Sequence, residues 1–137
     1  MRALLVIVTA LGLVGCMPET SPRTFTVAPE LAAPAALAAA EWTAACGTWI
    51  AFGDGGMPIV TVADLGTESG TTIYGEEHAS FGIRVLAGLG PDETRAVLAH
   101  EIGHALGLYH TDHGIMRPLT GPDEHVTAGD CPPKGSL

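Results

Sequence analysis

Residues 91–118 read PDETRAVLAHEIGHALGLYHTDHGIMRP. Pro91 followed by Asp92 and Glu93 opens a helix, because proline suits the first helical position and acids offset the positive end of the dipole. The helix runs to about Leu106, where Gly107 ends it by accepting a left-handed cap. His100 and His104 are four apart, so both imidazoles stand on one face and can reach a single ion. Glu101 is turned by about 100° from His100, which suits it to a nearby water better than to joining both histidines as a ligand. Gly107 lets the chain turn so that His110 supplies a third nitrogen. Three neutral imidazoles and an open fourth position describe a catalytic Zn²⁺ site, whereas a structural site closes all four. In such a site the metal acidifies a water and polarises a carbonyl, and Glu101 takes the proton.

Upstream, the alanine-rich run from Pro34 to Ala45 predicts a helix in which Leu37, Glu41 and Trp42 divide a core stripe from a solvent face. Short β-like runs follow at Thr48–Phe52, Ile59–Val62, Thr71–Tyr74 and Phe81–Leu86, separated by glycine turns. Residues 108–137 read as loop, with room for a short helix near Asp123–Ala128. The pattern predicts one α+β domain over 35–137.

The N-terminus is of another kind. Residues 1–15 carry one positive charge and a short apolar run, as a secretory signal does, and the run is too short to span a bilayer. Leu13-Val14-Gly15-Cys16 resembles a bacterial lipobox, which implies cleavage before Cys16, lipidation of that cysteine, and export to the outer membrane or cell surface. The alternative is a simple secreted protein in which Cys16 is incidental. Residues 16–34, with Pro18, Pro22, Pro29 and Pro34, predict a tether. If lipid occupies Cys16, then Cys46 and Cys131 form an even pair in an oxidising compartment. They are then either a disulfide, contributing about 4 kcal/mol by chain entropy, or two separate thiols.

The chain has 137 residues, 15 Asp+Glu against 6 Lys+Arg, and formal charge −9. That balance argues against a nucleic-acid-binding surface, because neutralising a phosphate backbone needs clustered Lys and Arg. Removing residues 1–15 removes one base and no acid. The resulting −10 favours neutral or basic peptides as partners. A monomer is expected.

His100 to His110 resembles the HExxHxxGxxH signature of the metzincin zinc proteases, and Gly114-Ile115-Met116-Arg117-Pro118 resembles their Met-turn. Thr111 and Pro118 are similar to the matrixin branch. The resemblance implies a small zincin fold: a twisted mixed sheet, a backing helix, an active-site helix and a Met-turn. It also implies His100, His104 and His110 as ligands of one Zn²⁺, Glu101 as general base, Met116 beneath the site, and a peptide or protein substrate. An edge strand beside the cleft would take substrate by β-addition; Phe81–Leu86 is the nearest candidate, or else an ordinary core strand. The link from His110 to Met116 is short and no cysteine-switch motif is present. Cys131 could instead cap the metal. Glu76-Glu77-His78 is either a loop that holds a second metal or, like His113 and His125, a set of solvated loop residues, and calcium stays unassigned. Rival readings are a zinc-binding lipoprotein that holds a partner peptide without cleaving it, and a zinc hydrolase of cell-wall amide bonds.

Overall fold

A computed structural model describes residues 23–68, 71–72 and 74–133; the expected signal segment and Cys16 lie outside these. The chain enters the fold earlier than expected. Strand β1 (Arg23–Val27) lies inside a five-stranded sheet, parallel to β2 (Ile50–Phe52) on one side and β3 (Met57–Val62) on the other. The tether reading of residues 16–34 is therefore corrected from Arg23 onward. Pro22 and Pro29 flank β1 without interrupting it, so the strand keeps all its backbone donors. Phe25 is its buried anchor. Pro29–Leu31 form a 3₁₀ turn, and Pro34 falls in the first turn of α1 (Ala32–Cys46), where a missing N–H is tolerated.

Helix α1 packs through Ala35, Ala38, Ala39 and Trp42, with Leu31 of the preceding turn on the same side, a stripe of small residues that brings its backbone close to its neighbour. Leu37, expected near the core, is 59% exposed. The helix ends at Gly47 in the left-handed conformation, φ 68°.

Beyond β3, the chain forms a two-stranded ribbon, β4 (Thr67–Glu68) and β5 (Thr71–Thr72), where Thr71–Tyr74 was expected to be one strand. It returns through β6 (Gly75–His78) and β7 (Gly82–Leu86). The sheet order is β2-β1-β3-β7-β6, parallel except for β6, which is antiparallel to β7. Glu76-Glu77-His78 is the edge strand and not the loop expected, and of the two readings of Phe81–Leu86 the ordinary core strand holds, since β7 is paired on both sides.

Ile83 and Val85 are buried on one face of β7 while Arg84 stands on the other. That face packs with Ile59, Phe25, Trp42, Leu98, Ile102, Ile115 and Met116 into the core. Helix α2 (Pro91–Ala105) lies against α1, β6 and β7. The C-terminal segment carries a 3₁₀ turn at Ala128–Asp130, slightly beyond the helix expected near Asp123–Ala128. Cys46 and Cys131 are bridged, with Cα atoms 5.3 Å apart, so the bridge ties the end of α1 to this segment. The architecture is α+β with a mixed sheet and two helices.

Candidate metal centre

The site grows out of the two ends of α2. At its start, Gly90 N donates to Glu93 Oε2 at 2.9 Å and Thr94 Oγ1 donates to Gly90 O at 2.8 Å, closing the first turn. At its end, Gly107 takes φ 91°. Gly107 N donates to His104 O at 2.8 Å and Leu108 N to Gly103 O at 3.0 Å, the paired bonds of a Schellman cap. This cap swings Leu108 O to within 2.8 Å of His104 Nδ1, and the chain then brings His110 alongside.

The three Nε2 atoms converge. They are 3.0 Å apart for His100 and His104, 3.2 Å for His100 and His110, and 3.2 Å for His104 and His110. His100 Nδ1 donates to Ile115 O at 2.7 Å and His104 Nδ1 to Leu108 O. With Nδ1 carrying the donated proton, the neutral form of each of these two rings has its lone pair on Nε2, aimed at one point. Lone pairs so close repel one another unless a cation sits among them. An ion bound tetrahedrally at about 2.0–2.1 Å separates its ligand nitrogens by about 3.3–3.4 Å, close to the triangle found here. The donor set fits a metal ion, and these are the three side chains among the described residues that could hold one.

Proton affinity points the same way. Burial lowers the His100 pKa to about 4, with His104 and His110 adding to the effect against the Ile115 hydrogen bond. Burial also lowers the His110 pKa, helped by His104. Imidazoles bind metal in the neutral form, which both shifts favour.

Glu101 is 5% exposed. Its pKa is raised to about 8, first by burial and then by Glu77 and Glu76 on β6. The edge strand comes so close because residue 75 is glycine: a Cβ there would run into Val97 and lie 3.0 Å from Glu101 Oε1. A cation held by the neighbouring imidazoles would draw the proton off this carboxyl.

Met116 is buried below the helix. A Cβ on Gly103 would collide with Met116 Sδ and stand 2.9 Å from the Trp42 ring, so the glycine between the two helical histidines is what admits the methionine. Trp42 Nε1 donates to Ala99 O at 2.8 Å and fixes α1 against the same turn.

Three supporting groups carry no signal in the sequence. Asp130 is buried and accepts from Ile115 N at 3.1 Å and Thr127 N at 2.8 Å, pinning the residue whose carbonyl holds His100. Thr120 Oγ1 lies 3.2 Å from His100 Nδ1 and 2.9 Å from Ile115 O. Arg95, 5% exposed, donates to Glu41 Oε1 at 2.9 Å, Pro122 O at 2.6 Å and Glu124 O at 2.8 Å, holding the segment that follows Thr120. Thr120 and Pro122 face Tyr74, Leu89, Ala96 and Val97 across a cavity of about 180 Å³.

Of the other expected features, Cys131 is committed to its bridge and does not cap the metal. His78, His113 and His125 are exposed and outside the triad; His125 Nδ1 lies 2.8 Å from Glu41 Oε1. No helix among the described residues is long and apolar enough to cross a membrane. No protein-family model matches the chain, and no curated protein matches it.

Proposed function

We propose that this chain is a zinc endopeptidase of metzincin type, tethered to the cell envelope through lipid on Cys16. The observation that carries the reading is the triangle of three imidazole Nε2 atoms beside the buried carboxyl of Glu101. A zinc ion held by His100, His104 and His110 would supply a Lewis acid for water activation and carbonyl polarisation. The chain's own groups do the rest. The Glu101 carboxylate accepts a proton from the attacking water and returns it to the departing amine nitrogen. The free edge of β6 offers unpaired backbone groups to an extended peptide. The cavity between α2 and the Thr120–Pro122 segment accepts one substrate side chain of moderate size.

Protein lacking residues 1–15 is assayed for metal content and for cleavage of a peptide library, beside His104→Ala. One zinc per chain and cleavage abolished by a chelator are expected, with both lost in the variant. Bound zinc without cleavage of any peptide overturns the protease reading.

A further inference from the structure

Trp49 and Arg23 sit side by side where β1 and β2 begin. Arg23 N donates to Trp49 O at 3.3 Å, and Arg23 pairs with Ile50 in the parallel register. The chain has two tryptophans. Trp42 is fully buried, while Trp49 is 71% exposed at the outer edge of the sheet. Arg23 is exposed as well. Among the described residues Arg84, Arg95 and Arg117 each pair with a glutamate, and Arg23 pairs with none. An indole with an apolar body and a polar N–H, next to a free guanidinium, matches the headgroup level of a bilayer.

Covalent reach fixes which surface lies nearby. Cys16 is seven residues before Arg23, a span of at most about 25 Å when fully extended. We infer that the Trp49–Arg23 edge is a membrane-docking surface, with the indole at the headgroup boundary and Arg23 on anionic lipid. This rests on the reading of Cys16 as lipidated. An acidic domain is repelled by an anionic surface everywhere except where a base is presented. The edge beside the anchor presents one. A second contact also strengthens an acyl anchor that is weak when it acts through one chain.

The full-length lipidated protein is reconstituted in phosphatidylcholine–phosphatidylglycerol vesicles, with and without brominated acyl chains. The Trp49 component is obtained by subtracting the emission of Trp49→Phe, which retains Trp42. The inference predicts a blue-shifted Trp49 component that brominated chains quench and aqueous iodide does not, and weaker quenching in Arg23→Glu. A Trp49 component that iodide quenches and bromine spares overturns the docking surface while leaving the anchor intact. An intact mass showing a free Cys16 thiol overturns the anchor and the surface together.

Discussion

His100 Nδ1 lies 2.7 Å from Ile115 O, and Ile115 N lies 3.1 Å from the buried carboxylate of Asp130. One residue, Ile115, is thus held through its N–H by Asp130 and through its carbonyl holds one of the three converging rings. Groups that orient a ligand histidine tune its affinity for the ion. Asp130→Ala is expected to weaken zinc binding by about tenfold, the low end for outer partners. A competitive chelator titration reads this, and unchanged affinity would remove Asp130 from the account.

Gly103 has no room for a side chain above Met116 and Trp42. Gly103→Ala should therefore cost about 1–3 kcal/mol through overpacking, even though alanine is the better helix former. Thermal unfolding of the metal-free protein checks the sign. A stabilised variant would mean that Met116 moves aside freely.

Arg95 and Glu41 are buried partners, with side-chain exposures of 6% and 18%. Removing Arg95 leaves Glu41 with His125 and Val126 N but strips the Pro122 and Glu124 carbonyls of their donor, so Arg95→Met is expected to cost about 1–3 kcal/mol in urea unfolding. The half-exposed pair Arg84–Glu76 provides the contrast, at about 1 kcal/mol or less.

The pH dependence of the metal-free protein follows from two opposed shifts. His100 falls from 6.5 to about 4, so between those values the unfolded chain holds the extra proton and stability is lost as pH falls. Glu101 rises from 4.5 to about 8, so across that window the folded chain holds the extra proton and stability is lost as pH rises. Below 6.5 the Glu101 shift is opposed by His100 and by His110, whose pKa is also lowered, leaving an unopposed decline from 6.5 to 8. Unfolding free energies measured across that range should fall in the parent and stay flat in Glu101→Gln. Zinc affinity should run the other way and rise with pH, because protons compete for the imidazoles.

Residues 91–107 were legible because one-dimensional spacing carries their geometry: histidines four apart, acids after Pro91, a glycine at the cap. The Cys46–Cys131 pair was legible from parity once Cys16 was set aside. Strand β1 was hidden because its five residues lie among prolines, which read as tether until the sheet shows them outside the paired segment. Strand β6 was hidden because Gly-Glu-Glu-His has no β-branched residue; a glycine that lets the strand approach Glu101 is visible only in three dimensions. Leu37 misled because α1 packs through alanines, where close approach of backbones replaces side-chain bulk. The acceptors that fix the two helical histidines are the carbonyls of Ile115 and Leu108, and backbone atoms leave no mark in residue identity.

In the proposed mechanism Glu101 moves the proton at a metal site built by His100, His104 and His110. The most direct test of this is Glu101→Gln, assayed for bound zinc and for peptide cleavage together. The amide keeps the shape and leaves the three nitrogens in place, so zinc content should be unchanged while cleavage slows by at least about 10²-fold. Cleavage at the parent rate with zinc fully bound would contradict the account.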